Sequence, residues 1–155
     1  MVDFTMIALL TAVFCLALLA GAVRRVPNGQ VLSLYRGGKR RRLLQPGVHF
    51  VLPGLDRVGH RIDLAGQVLH FQEPLASAHD VRGTVYWQVL EPERADAVFD
   101  QAEQLIRGGA LDALKDEPAA AQENRRDLGG RLKQRLNAAL RERGMMVTRV
   151  DLDFA

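Results

Sequence analysis

Cysteine is almost absent from this chain of 155 residues, and the lack of it excludes whole classes of protein. The single cysteine, Cys15, lies inside an apolar run. One thiol can build neither a disulfide framework nor a cysteine-based zinc site. Its surroundings predict a small apolar packing residue rather than a modified or ligating one.

Residue patterns that carry metal or acid–base chemistry are missing too. Four histidines occur singly on separate predicted elements, without the HxxH or HExxH spacing of zinc sites: they are His49, His60, His70 and His79. Ser77, His79 and Asp80 are triad residue types, but neighbours in one loop lack the spatial convergence that a triad needs. Gly108-Gly109 and Gly129-Gly130 lack the spacing of phosphate-binding loops. We therefore predict no enzyme activity, catalytic residue, metal site or cofactor.

Charge of either sign is absent from residues 4–23, a run of twenty residues that ends at two arginines. A helix of that length is about 30 Å long and matches the hydrocarbon thickness of a bilayer. A cleaved signal peptide is the first alternative, since Ala20-Gly21-Ala22 resembles a cleavage site, but the acidic Asp3 does not fit a basic leader. A buried core helix would show a polar face. The run predicts an uncleaved transmembrane anchor at residues 1–25, followed by one domain at 26–155.

Acidic residues are absent from residues 4–55, where seven basic residues occur: Arg24, Arg25, Arg36, Lys39, Arg40, Arg41 and Arg42. We predict that this basic set lies next to the membrane. The positive-inside rule then places the N-terminus outside the cell membrane and the domain in the cytoplasm. A purely topological role and binding of anionic lipid are both open. Nucleic-acid binding is disfavoured because no aromatic residues interleave with the basic ones.

Short alternating segments between glycine and proline turns fill the first half of the domain and predict β-strands. The predicted strands are Gln30–Arg36, 48–52, 58–64, 67–71 and 81–89. In the last of them Val81, Gly83, Val85, Trp87 and Val89 share one face. For 48–52, burial of one face and contact with the membrane interface are both open.

The second half changes to a helical period. Pro92 opens a predicted helix that Gly108-Gly109 ends, and a short helix then ends near Pro118. From Glu123 a stripe of leucines at every fourth position predicts another helix, with Gly144 as its cap.

A final strand should place Met146, Val150, Leu152 and Phe154 on one face, with Arg149, Asp151 and Asp153 on the other. Strands followed by helices and one closing strand make the predicted fold class α+β.

Several motifs in order resemble the opening of the stomatin/prohibitin/flotillin domain, the SPFH or band 7 family. They read VPNGQ at 26–30, LYRGGK at 34–39 and PGVHFVLPGLDRV at 46–58. VYWQVLEPERA at 85–95 resembles the family's central strand and the helix start after it, and 136–152 resembles its helix into a closing strand. The segment 46–58 beside an apolar run carries the resemblance most strongly.

The resemblance implies a single-pass, membrane-anchored scaffold that organises membrane proteins or lipids. A regulatory adaptor of a membrane protease is the alternative, and a tethered enzyme is the weakest of the three. Implied partners are the bilayer and its anionic lipids, further copies of the chain or longer SPFH relatives, and a membrane protease. Because no long charged helix follows Phe154, we expect a monomer, a small homo-oligomer or a minor subunit in rings of longer relatives.

Overall fold

The computed structural model describes residues 3–74, 80–117 and 124–154. These divide into two compact units, Met1–Arg61 and Ile62–Ala155. The first holds an apolar helix and short strands, and the second holds a sheet covered by helices. The α+β fold class is therefore confirmed.

The first unit begins with helix α1 and continues at once into strands. Its elements are α1 (Phe4–Ala22), β1 (Val23–Val26), β2 (Gln30–Arg36), β3 (Lys39–Leu44), β4 (Gly47–Phe50) and the greater part of β5 (Asp56–Asp63). Strand β1 pairs antiparallel with β4, while β3, β2 and β5 form a separate sheet in that order. A small core joins the two, made of Val26, Leu32, Leu34, Leu44 and Val51.

Two strands of this unit escaped the sequence analysis. Strand β1 occupies residues predicted as the end of the span, and β3 occupies the basic segment predicted to follow a turn. Neither alternates in polarity: β3 reads KRRRLL, and its first four residues are exposed. Strand β3 forms because it pairs with β2, whose Leu32 and Leu34 are buried in the small core. A bulge between Leu34 and Tyr35 absorbs the extra residue, Arg41.

The second unit packs helices on one face of a three-stranded antiparallel sheet. Its strands are β6 (Gln67–Pro74), β7 (Asp80–Val89) and β8 (Met145–Phe154), with β7 in the middle. Its helices are α2 (Pro92–Ala95), α3 (Ala102–Asp116) and α4 (Arg125–Leu140), with 3₁₀ turns at Asp96–Gln101 and Arg141–Arg143. The predicted apolar face of β7 is confirmed, since its alternate residues from Val81 to Val89 are buried. The leucine stripe of α4 and the left-handed cap at Gly144 are confirmed as well.

The helix predicted to begin at Pro92 is divided by a 3₁₀ turn, and its predicted end was wrong. Gly108-Gly109 does not end a helix, because α3 continues through it to Asp116 and buries Ala110, Ala113 and Leu114. That burial outweighs a cost of roughly 1 kcal/mol for each glycine. The predicted helix end near Pro118 and helix start at Glu123 lie outside the described residues.

We predicted that buried and exposed side chains alternate along the whole closing strand, but a bulge interrupts this alternation. Tyr86 pairs with Arg149 but Trp87 pairs with Val147, so Thr148 is the extra residue. Before the bulge Met145 and Val147 are buried, and after it Val150 is. Met146 therefore lies on the face opposite to the predicted one, since an inserted residue shifts the alternation by one.

Helix α4 packs against β8 through two close contacts. The Asn137 side chain donates a hydrogen bond to the Val147 carbonyl oxygen at 3.0 Å and accepts one from the Val147 N–H at 2.7 Å. About two turns earlier in α4, a side chain at Gly129 would come within 2.7 Å of the Val150 carbonyl oxygen. At neighbouring Gly130 a side chain would meet nothing within 4 Å. The two adjacent glycines thus have different roles.

Exchanging each glycine for alanine should change stability in opposite directions. Gly130→Ala should stabilise the chain by about 0.5–1 kcal/mol, the ordinary gain in a helix interior. Gly129→Ala should destabilise it by about 1–3 kcal/mol, since α4 must move off the β8 backbone. Trp87, the only tryptophan, is buried in this core and reports urea unfolding by its fluorescence. Equal effects of the two substitutions would contradict this packing.

Candidate membrane interface

Helix α1 has the composition of a membrane span and leads directly into the first strand. Its 19 residues correspond to about 28 Å of helix. None of the span window is buried inside the protein. The Val51 N–H donates a hydrogen bond of 2.7 Å to the carbonyl oxygen of Ala22, the last residue of the helix. The loop after β4 is therefore fastened to the end of α1.

One face of the β1–β4 ribbon is apolar and exposed. Val23 lies opposite Phe50, and Arg25 lies opposite Val48, so these four side chains share a face. Phe50 is 66% exposed and Val48 is 64% exposed. On the other face Val26 is buried in the small core. The sequence left burial or membrane contact open for segment 48–52, and within that segment only Val51 is buried.

The loop that follows β4 also carries exposed apolar side chains. Leu52 is 50% exposed and Leu55 is 62% exposed. We call Val23, Val48, Phe50, Leu52 and Leu55 together the apolar face. Large exposed residues concentrated within a few residues of a helix end are unusual on a water-soluble surface, and they indicate an interaction site.

Asp56 holds that loop in place. Its carboxylate accepts a hydrogen bond of 2.7 Å from Arg36 Nε and one of 3.0 Å from the Leu52 N–H. The Asp56 N–H in turn donates to the Leu52 carbonyl oxygen at 3.0 Å. The Asp56 side chain is only 3% exposed. The Arg36 guanidinium, followed by the Leu52 N–H, holds the pKa of this carboxyl below its ordinary value.

Two residues of the predicted basic set contact this loop and its strand, and the others lie along β1 and β3. Arg36 bonds Asp56, and Arg42 Nη2 donates to the Phe50 carbonyl oxygen at 3.2 Å. Arg24 and Arg25 follow each other in β1 and therefore lie on opposite faces of the ribbon. The others belong to β3: Lys39 pairs with Arg36, Arg40 pairs with Tyr35, and Arg41 is the bulged residue. Their closeness to a bilayer stays a prediction.

The described histidines, His49, His60 and His70, each contact different residues. The His49 Nε2 atom is 2.7 Å from the Gln45 carbonyl oxygen, and His70 Nδ1 is 3.0 Å from Thr84 Oγ1. The backbone of His60 is bonded in both directions by Ser33 Oγ. Ser77 and His79 lie outside the described residues. Within residues 3–74, 80–117 and 124–154, no group of three or more metal-ligating side chains occurs.

Sequence reasoning left the exposure of Val48, Phe50 and Leu52 undecided and missed the role of Asp56. The basic set drew attention because charge is easily counted, whereas VHFVL also suits a buried strand. In the structure β4 pairs with β1, the strand that directly follows α1, although β2 and β3 lie between them in the sequence. Which side of a four-residue strand faces solvent depends on the register with its partner. That register is visible only in the structure.

Comparison with known families gives one match for this chain. The model of the SPFH domain / Band 7 family matches residues 24–153. The match begins in β1, directly after α1, and ends in β8. It covers both compact units and most of the chain.

Replacing Asp56 by Asn should loosen the loop that carries Leu52 and Leu55. At pH 7 we expect the Leu52 amide hydrogen to exchange roughly tenfold faster, since its charged acceptor is lost. Because the pKa of Asp56 is lowered from 3.8, the carboxylate contributes its stabilisation at all pH values above about 3.8. That contribution is lost as pH falls through the lowered pKa, so wild type and variant should converge only in strong acid.

Hydrogen exchange followed by mass spectrometry measures this difference on the intact chain in detergent. Amides of α4 serve as the internal control, because Asp56→Asn should leave them unchanged. An unchanged exchange rate at Leu52 would show that Asp56 does not hold the loop.

Proposed function

The chain belongs to the SPFH domain / Band 7 family, and on that premise we propose that it is a single-pass, membrane-anchored scaffold that organises membrane proteins or lipids. The family is membrane-associated and of scaffold type. Helix α1 is long and apolar enough to cross a bilayer. Its direct passage into β1 supports a position of the β1–β4 ribbon beside the lipid headgroups.

The observation that carries this proposal is the exposed apolar face beside the end of α1. Phe50 and Val48 expose about two thirds of their surface, 66% and 64%. Burial of such side chains in an apolar environment contributes about 1.5–3 kcal/mol each. An interfacial membrane position gives these groups that environment without a protein partner. The face would fix the depth and tilt of the first unit at the bilayer.

Basic residues support the same arrangement. Arg25 shares the apolar face with Val48, and an arginine there can extend its charged end toward headgroups while its stem lies along apolar neighbours. Each basic residue near an anionic surface adds roughly 1 kcal/mol of attraction. By the positive-inside rule this set places the domain on the cytoplasmic side.

The cytoplasmic orientation has a direct test. A reporter enzyme that is active only after export, fused after Ala155, should give no activity, and a reporter active only in the cytoplasm should be active there. The reason is the seven-to-zero excess of basic over acidic residues in 4–55. Export of the fused reporter would reverse the proposed topology. Changing Arg24, Arg25 and residues 39–42 to Gln should weaken the orientation preference and produce a mixed population.

The scaffold role is tested by what accompanies the chain in mild detergent. We expect the purified full chain to contain several copies or an enriched set of lipids, with more than one kind of membrane protein. A regulatory adaptor would instead bring down one protease complex, and its deletion would change turnover of that protease's substrates. Mass photometry with lipid and protein identification separates these outcomes. A lone monomer without enriched lipid or protein would contradict scaffolding.

A further inference from the structure

Beside the apolar face, the first unit has an open pocket of about 750 Å³. The pocket lies between the Gly37-Gly38 turn and the loop that holds Gly54 and Leu55. Its volume is in the range of small-molecule sites. We propose that it binds the headgroup of an anionic phospholipid, with the lipid's acyl chains along Leu55 and Leu52. This inference rests on the membrane anchorage proposed above.

Glycine at the rim creates the space. Gly37 and Gly38 have φ values of 58° and 77°, a left-handed turn that residues with side chains rarely adopt. A side chain built at either position, or at Gly54, would meet nothing within 4 Å. The rim of the pocket is therefore bare backbone, and it leaves room for a group that approaches from outside the protein.

Tyr35 and Gly59 shape one wall. A side chain at Gly59 would come within 2.5 Å of Tyr35 Cε2, so the tyrosine ring lies directly against the β5 backbone. The ring meets the His60 imidazole edge-on, with 6.4 Å between their centroids. A tyrosine presents an apolar body and a polar tip, a combination that suits the boundary between acyl chains and headgroups.

The charge of the pocket favours an anion. Its one carboxylate among the lining residues belongs to Asp56, which is 3% exposed and already paired with Arg36 at 2.7 Å. Arg57 is exposed, lines the pocket and forms no ion pair with a carboxylate in residues 3–74, 80–117 and 124–154. Arg40 lies opposite Tyr35 in the β2–β3 register and adds positive charge to the neighbourhood. A phosphate group would meet a net positive site.

The position of the pocket favours a lipid over a soluble anion. Ala22 at the end of α1 is bonded to Val51, and the next residue, Leu52, is bonded to Asp56 on the pocket wall. Two hydrogen bonds and two residues thus connect the span to the pocket, a path of about 10 Å. That path is comparable with the thickness of the headgroup layer, roughly 5–8 Å on each side of the hydrocarbon. Leu55 is 62% exposed on the same rim and offers contact to acyl chains.

The two tyrosines of the chain provide the test, because Tyr35 lines the pocket and Tyr86 lies in β7 of the second unit. The intact chain, labelled with 3-fluorotyrosine, is titrated in neutral maltoside micelles with dihexanoyl phosphatidylglycerol. The Tyr35 fluorine resonance should shift saturably while that of Tyr86 stays fixed. The zwitterionic dihexanoyl phosphatidylcholine should bind at least tenfold more weakly, and so should soluble glycerol phosphate.

Variants separate the pocket from general attraction to charged micelles. Arg57→Glu should weaken phosphatidylglycerol binding at least tenfold, since reversal changes the local charge by two units. Arg61→Glu is the matched control, because Arg61 lies in the same strand and does not line the pocket. Leu55→Ser should weaken binding of the lipid but leave the weak binding of glycerol phosphate unchanged. An unshifted Tyr35 resonance in the unliganded variants shows that the pocket has kept its fold.

Three results would overturn the inference: no Tyr35 shift, equal shifts of both tyrosines, or equal loss from Arg57→Glu and Arg61→Glu. Equal affinity for glycerol phosphate and for the lipid would also contradict the lipid assignment. These results leave the scaffold proposal intact, provided that the chain still fractionates with membranes. Loss of membrane fractionation by the wild-type chain would instead contradict the anchorage itself.

Discussion

The junction between α1 and β1 is the constraint on which the first unit depends. The helix ends at Ala22 and the strand begins at Val23, so no flexible linker separates the apolar helix from the ribbon. The hydrogen bond from the Val51 N–H to the Ala22 carbonyl oxygen holds the loop after β4 at the same point. Whatever depth α1 takes in a bilayer is therefore transmitted to Phe50, Leu52 and Leu55 within a few ångströms. A linker of even several residues would remove that coupling.

Polar contacts hold the loop that follows β4 in place beside this junction. The Asp56 carboxylate fixes the loop by bonding Arg36 and the Leu52 N–H, so that leucine side chains face outward while the charged groups satisfy each other. In the second unit Asn137 does comparable work at the edge of β8, where it bonds both backbone groups of Val147. In both cases one side chain satisfies backbone groups that a strand or helix could not. The units differ in exposure: the second buries most of its large apolar side chains in its own core, whereas the first leaves more of them exposed.

Most of the fold was predictable from the sequence because its elements carry strong periodic signals. The apolar helix α1, the alternation of β7 and the leucine stripe of α4 are properties of local sequence, and the structure contains each of them. The errors arose where strand pairing and burial, rather than local sequence, decided the structure. The bulge at Thr148 depends on pairing with Tyr86 and Trp87, and the continuity of α3 through Gly108-Gly109 depends on burial of Ala110 and Leu114. For the candidate site, the basic set could be counted. The exposure of Val48 and Phe50 depends on the register of β1 with β4, and the Asp56 contacts depend on where Arg36 of β2 meets the Leu52 loop.

The most direct test of this account is the depth of Phe50 in a bilayer. In a Cys15→Ala background, Phe50→Cys labelled with an environment-sensitive fluorophore should show blue-shifted emission in lipid nanodiscs and strong quenching by lipids with a spin label near the headgroup. Leu90→Cys is the matched control, since Leu90 is also large and 54% exposed but belongs to the second unit. The account predicts quenching at position 50 well above that at position 90. Water-like emission at position 50, with no quenching by lipid, would contradict it.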